Sequence, residues 1–318
     1  MAALSSPTPS WRAHSVLAIL GPTASGKTRL SVALAKRLGG ELLNADSRQA
    51  IAELAIGVCK PTVEELQGME CHGLDWSHLG EPFSAAVYRT LAATAIEEIA
   101  SRGGTAIVVG GTGLYIRALL GGFDFGRVAP DRSRTDHLAD SAQERRIAGP
   151  ALRELRHFDP QRAEEVDLEN PRRVIRAAEL ARAGARASQA PPPWSVLKLG
   201  CRVAGPELRR RIEARSEVLV GEPLVREVEA LQSRGFPAEL LARSAIGYSE
   251  VVDWVQGRCN RQEAVERVAA RTWRYAKSQL TWLRSEPDLV WIDAALSPDE
   301  MVSQALAVIQ RGQGPRSG

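Results

Sequence analysis

The run Gly21-Pro22-Thr23-Ala24-Ser25-Gly26-Lys27-Thr28 constrains this chain more than any other stretch. It follows a short apolar segment, Ser15 to Leu20 (SVLAIL), and precedes Arg29 to Leu38 (RLSVALAKRL), whose apolar residues recur at helical spacing. A G-x-x-x-x-G-K-[ST] run between a strand and a helix predicts a phosphate-binding loop. Its glycines let consecutive amides turn inward on phosphate oxygens, and the helix N-terminus adds its dipole. Lys27 brings a full positive charge, and the Thr28 hydroxyl can ligate Mg²⁺. Such a loop belongs at the carboxyl end of a strand in an open α/β sheet.

The rest of the N-terminal third agrees with that placement. Glu41 to Ala45 (ELLNA) predicts a second strand ending at Asp46, Tyr88 to Ser101 an amphipathic helix, and Thr105 to Val109 (TAIVV) a β-branched strand closed by Gly110-Gly111. Alternating strands and helices imply a parallel sheet with right-handed crossovers. The fold class expected is α/β, a P-loop NTPase-like parallel sheet flanked by helices, with an all-helical insertion. From about Arg127 to Ala190 no strand is predicted; the stretch is arginine-rich, helical in pattern, and ends at Pro191-Pro192-Pro193. Val196 to Leu199 predicts a return strand, Pro206 to Arg284 further helices broken at Gly221, Gly235 and Gly247, and Val290 to Asp293 a last strand. The expected organisation is therefore a tail over 1–14, a discontinuous catalytic core over 15–126 and 195–310, a helical insertion over 127–194, and a disordered end over 311–318.

Composition narrows the setting. The 318 residues are 44% hydrophobic and 25% charged, an ordinary balance for a globular protein able to bury a core. Cys59, Cys71, Cys201 and Cys259 form no C-x-x-C pair, which argues against a zinc site or a disulfide scaffold and suits a reduced cytoplasmic setting. No apolar run reaches membrane-spanning length. Met1 to His14, rich in Ser and Pro, lacks the apolar centre of a signal peptide. The net charge of +3 is carried mainly by arginine.

Two further features bear on chemistry. Enzymes that hydrolyse nucleoside triphosphates usually place an acid at the end of a nearby strand. Here that strand runs Val108-Val109-Gly110-Gly111-Thr112, with no acid. A loop holding a diphosphate leaving group needs none. If the strand ending at Asp46 neighbours the P-loop strand, Asp46 stands beside the phosphates, where a carboxylate must bind metal or take a proton; otherwise it is an N-cap or surface residue. In the predicted helix that opens Pro171-Arg172-Arg173-Val174-Ile175-Arg176, the arginines Arg172, Arg176, Arg182 and Arg186 fall near one face with only Glu179 among them. Val174, Ala177, Ala178 and Ala181 fall opposite. Such a stripe suits RNA phosphates, or is a solvated helix face.

GPTASGKT, ADSRQ, VVGGTGLYIRALL, NPRRVIRA, ARSAIGY and TWRYAKSQLTW occur in an order that resembles bacterial tRNA dimethylallyltransferases (tRNA isopentenyltransferases), from about Leu17 to Arg284. The resemblance implies transfer of a dimethylallyl group from dimethylallyl diphosphate to the exocyclic amine of the adenosine 3′ of the anticodon in tRNA, with Mg and without ATP consumption. Gly21, Pro22, Thr23, Ala24, Ser25, Gly26, Lys27 and Thr28 would bind the diphosphate, and Thr28 the metal. Asp46 would be the general base, with Thr112 and, by spacing, Arg134 also touching substrates; Arg132 lies close to Arg134. Ser47, Arg48 and Gln49 would line the base pocket, and Arg172, Arg173, Val174, Ile175 and Arg176 would contact tRNA. The adenosine must leave its stack to enter, a step less costly in a loop than in a duplex. A monomer is expected.

The sequence departs from the family pattern after ADSRQ. Ile51, Ala52, Ala55 and Val58 stand where tyrosine, arginine, aspartate and threonine are usual, Cys71-His72 where paired histidines are, and Ser278 where a basic residue is common. His72 is expected to be structural. Three other readings remain open on sequence: an ATP-dependent small-molecule kinase, a prenyltransferase acting on free adenine nucleotides, and a protein that holds tRNA without turnover. The basic insertion and Arg274-Tyr275-Ala276-Lys277 favour tRNA over free nucleotides.

Overall fold

The computed structural model describes residues 15–124, 141–185, 188–189 and 191–311. They divide into two compact units, one of 15–120 with 192–311 and one of the described residues between 121 and 191.

The larger unit is built on a parallel sheet. β1 (Ser15–Leu20), β2 (Gly40–Ala45), β3 (Cys71–His72), β4 (Thr105–Gly110), β7 (Ser195–Arg202) and β8 (Leu289–Asp293) lie in the order β3-β2-β4-β1-β7-β8, every neighbour parallel. β1 is interior to this order, and Val16 through Leu20 are 0% exposed, as a strand covered on both faces requires. Six helices follow the strands or join them: α1 (Lys27–Leu38), α2 (Ala85–Ser101), α3 (Gly113–Leu120), α7 (Gly205–Leu219), α11 (Arg261–Arg284) and α12 (Pro298–Arg311). One core joins Leu30, Leu34 and Leu38 of α1 to Leu17 and Ile19 of β1, Leu208 and Ile212 of α7, and Met301, Val302 and Ile309 of α12. A second core packs α8 (Glu222–Ser233), α9 (Ala238–Ser244) and α10 (Tyr248–Val255) around Leu54, Tyr248 and Val268. The α/β sheet expected from the sequence is the one observed. α12 was not expected as a helix: 294–310 is assigned on sequence to the core without an element, and the helix's last residue, Arg311, falls where disorder was expected.

The order settles the condition attached to Asp46. β2 is not the neighbour of β1, because β4 lies between them. Two strand spacings put the strand axes about 10 Å apart, and since both strands run the same way, their carboxyl ends still share one edge.

In the smaller unit, α4 (Ser141–Phe158), α5 (Pro160–Glu165) and α6 (Pro171–Arg182) pack around Ala151, Leu155, Val166, Val174 and Ala178. α6 starts where the sequence dictates: the Asn170 side chain accepts from Arg173 N at 3.3 Å as N-cap, and Pro171 takes the first turn, where no amide is needed. The unit is not all-helical. β6 (Ser188–Gln189) pairs antiparallel with β5 (Phe123–Asp124), and a two-residue strand is too short to leave a period-two signature. No described helix is long and apolar enough to cross a membrane.

Candidate active site

The loop between β1 and α1 has the geometry of an anion nest. Ala24 (φ 61°) and Gly26 (φ 84°) adopt left-handed conformations, which turn successive amides to one side. At Gly26 only glycine takes this φ without strain. The Ser25 hydroxyl is buried and has no hydrogen-bond partner among the described residues, so the concavity presents an unsatisfied polar group. Lys27, first residue of α1, donates to Pro22 O at 3.3 Å. Burial holds its ammonium below the ordinary lysine range; the Asp46 charge opposes that shift and Arg215 reinforces it. Asp46 is thus close enough to the loop for its charge to be felt there.

The end of β2 is tied together by hydrogen bonds around the buried Asn44. Asn44, 3% exposed, donates from Nδ2 to Asp46 O and Gly73 O, both at 3.0 Å, and its Oδ1 accepts from Asp46 N at 3.0 Å. Asp46 Oδ1 accepts from Arg48 N at 2.9 Å, while its second carboxylate oxygen has no partner among the described residues. The Thr112 amide donates to Ala45 O at 3.2 Å, and Thr112 Oγ1 accepts from Ser47 N at 3.0 Å. Asp46, Ser47 and Thr112, assigned to one site from sequence, therefore form one hydrogen-bonded cluster across the ends of β2 and β4.

Three side chains join this site without having been expected there. Gln279 of α11, 2% exposed, accepts from Thr23 N at 2.9 Å and donates to Gly111 O at 3.0 Å. Arg215 of α7 donates to Thr23 Oγ1 at 3.4 Å. Tyr275 of α11 lies near Asp46 and Thr112; desolvation first, and the Asp46 charge second, push its phenol up to about 12, so it stays protonated at neutral pH. The only sequence signal for Gln279 was a polar residue on the face that also carries Ala276 and Leu283. For Arg215 there was none among so many arginines.

The segment that departs from the family pattern is ordered by main-chain contacts. Glu227 of α8 accepts from Ala55 N (3.0 Å), Ile56 N (2.7 Å) and Gly57 N (3.3 Å), and from the Tyr248 hydroxyl at 2.5 Å. Gln49 donates to Val58 O (3.3 Å) and Cys59 O (2.9 Å), and Lys60 to Ile51 O at 2.8 Å. These bonds use backbone atoms, so the altered side chains at 51, 52, 55 and 58 do not remove them. His72 sits on β3 with Nε2 2.8 Å from Glu41, whose carboxylate also accepts from Arg102 at 2.8 Å. Glu41, Glu70 and His72 could together ligate a cation, but the Glu41 carboxylate is already shared between Arg102 and His72. The donor that suits a hard cation beside a diphosphate is the Thr28 hydroxyl.

The arginine-bearing helix of the smaller unit differs from its expectation. Val174 and Ile175, 2% and 1% exposed, pack into that unit's core, so their side chains do not face a ligand. Arg176 pairs with the buried Glu179 at 2.9 Å, Arg173 with Asp167 at 3.0 Å, and Arg182 with Glu154 at 2.5 Å. Glu179 is thus not the lone acid beside this stripe. Arg132, Arg134 and Arg186 lie outside the described residues.

Comparison with known proteins agrees with this architecture. The family model described as IPP transferase matches residues 49–286. A tRNA dimethylallyltransferase of Thermomicrobium roseum is 40% identical over 285 residues, covering 87% of this chain and 86% of the relative. The crystal structure of a full-length tRNA isopentenylpyrophosphate transferase from Bacillus halodurans superposes with a TM-score of 0.70 at 33% identity, over 94% of this chain and 97% of that one. A eukaryotic dimethylallyltransferase acting on tRNA shares the fold, with a TM-score of 0.76 at 24% identity over 94% of this chain and 79% of that one.

Proposed function

This chain belongs to the IPP transferase family, and on that premise we propose that it transfers a dimethylallyl group from dimethylallyl diphosphate to the exocyclic amine of the adenosine 3′ of the anticodon in tRNA. The observation that carries the reading is the shared edge: the Asp46 strand end and Thr112 are grouped by hydrogen bonds on the carboxyl-end edge of the sheet that also bears the anion nest. A kinase reading would account for the nest but not for Asp46 and Thr112 grouped at the next strand end.

The donor's diphosphate lies in the loop from Gly21 to Thr28, against the inward amides, the Ser25 hydroxyl and Lys27. Arg215 adds a second positive charge by way of Thr23. Thr28 would hold Mg²⁺, which when bound would help neutralise the leaving group. The allylic C–O bond breaks with its electron pair going to the diphosphate, and the bond from the adenine nitrogen to the allylic carbon forms. Charge grows on the departing oxygen, so cations already in position do most for the rate. The exocyclic amine is a poor nucleophile because its lone pair is delocalised into the ring. Asp46 takes its proton through the free carboxylate oxygen, and Thr112 and the protonated Tyr275 hydroxyl orient the acceptor. Ser47, Arg48 and Gln49 line the pocket for the extruded base. The tRNA backbone is held by Arg274 and Lys277 of α11. Arg134 is proposed on family spacing alone as a further substrate contact.

The test is incubation with labelled dimethylallyl diphosphate, Mg²⁺ and unmodified tRNA, followed by nucleoside analysis. Label in the anticodon-adjacent adenosine supports the reading; label retained wholly in the diphosphate removes it. Asp46→Ala with undiminished transfer would remove the base assignment and leave the rest standing.

A further inference from the structure

Gln279 stands out among the polar residues the reaction does not use. α11 buries Ala276 and Leu283 beside it, and an apolar side chain would suit such a face. A carboxamide there is unfavourable unless both its ends are paired. Both are, over sequence separations of 256 and 168 residues: Oε1 takes the Thr23 amide of the phosphate loop, and Nε2 gives to the Gly111 carbonyl beyond β4. A Cβ on Gly111 would lie 2.2 Å from Gln279 Nε2 and 2.9 Å from Gly21 O, so the residue before Thr112 must be glycine for this bond to exist. Gly113 is likewise crowded by Trp282, one turn further along α11 on the same face, 2.8 Å from where a Cβ would sit.

Beyond Gly111 the connection continues. Thr112 is bonded through its amide to Ala45 and through its hydroxyl to Ser47, next to Asp46. One buried side chain therefore bridges the loop that receives the diphosphate and the cluster that receives the acceptor amine. We propose that Gln279 is a positioning residue that couples the two substrate sites, so that a diphosphate seated in the loop strengthens tRNA binding at Asp46 and Thr112. A diphosphate draws the Ser25 to Thr28 amides inward, and Thr23 cannot follow without carrying Gln279, Gly111 and Thr112. By linkage, bound tRNA strengthens diphosphate binding by the same factor. The inference rests on the prenyl-transfer reading of the site, and the experiment below separates the two.

Inorganic diphosphate with Mg²⁺ serves as the probe. The dissociation constant of unmodified tRNA is measured with and without saturating diphosphate, for wild type, Gln279→Met and Gln279→Glu, with a thermal melt of each. Gln279→Met removes both bonds at similar volume; Gln279→Glu keeps the acceptor for Thr23 and loses the donor for Gly111. In wild type, diphosphate should tighten tRNA binding about five-fold or more, and in both variants the ratio should fall to about one. A loss of stability alone would raise this ratio, because diphosphate also draws unfolded chain into the folded state, so a fall to one reports lost coupling. A wild-type ratio of one, or a wild-type ratio preserved in a folded variant, overturns the proposal. If wild type transfers no dimethylallyl group to tRNA, the reading of the site fails instead; a wild type that transfers the group but shows no coupling refutes the role of Gln279 alone.

Discussion

Two helices of this protein carry conspicuous basic residues, and they use them differently. On α6, Arg173, Arg176 and Arg182 each meet an acid of the same unit, and Glu179 is buried beneath Arg176. On the second half of α11, Arg274, Lys277 and Arg284 are exposed and have no acid partner among the described residues. Their spacing puts them, with Thr281, on one face. The first half of the same helix behaves like α6, for Arg261, Arg267 and Arg271 pair with Glu217, Asp253 and Glu250. A count of arginines along a helix thus overstates the charge available to a phosphate backbone. What matters is how many of those arginines already meet a carboxylate within the same fold.

The largest expected effect lies where a cation is both committed and accessible. Lys27→Ala should lower prenyl transfer by at least about a thousand-fold, a loss of some 4 kcal/mol in transition-state stabilisation, measured by single-turnover transfer. A fall of less than ten-fold would mean that the nest does not hold the leaving group. The same residue carries a pH signature. Its folded pKa is below 10.5, so between that value and 10.5 the unfolded chain binds more protons than the folded one. Stability of the unliganded protein should therefore rise with pH across that window. Diphosphate needs the protonated lysine, so its affinity should fall over the same window. Titration calorimetry and thermal melts that move together would refute the assignment.

Next in size, Arg274→Ala combined with Lys277→Ala should weaken tRNA binding roughly 10- to 100-fold at low salt and reduce the slope of log K against log salt by about 1.5. An unchanged slope would dissolve the contrast between the helices. Arg176→Ala should act on stability instead. Taking away the Arg176 partner of the buried Glu179 should lower unfolding free energy by about 1–3 kcal/mol, read by denaturant titration, with the tRNA salt slope changed by less than one phosphate. A variant that melts normally and loses tRNA affinity would return α6 to the role first expected of it. Smallest of all, loss of the exposed Arg173–Asp167 pair in Arg173→Ala should change stability by less than about 1 kcal/mol.

The sequence alone determined the strands β1, β2, β4, β7 and β8 to within a few residues, because each is an apolar run bounded by glycine or polar residues, a local signal. It also located the loop between β1 and α1 and singled out Asp46, because both sit at strand ends inside local motifs, while Ser47 and Thr112 came from the resemblance to a family. Only the tertiary structure decided that β4 separates β2 from β1, that Val174 and Ile175 face inward, and which arginines are already paired. It alone brought Gln279 and Arg215 to the loop, across separations as large as 256 residues. The physical reason is common to all of these. Periodicity and turn chemistry are written into neighbouring residues, whereas strand order, ion pairing and a two-ended hydrogen bond depend on partners that chain proximity does not specify.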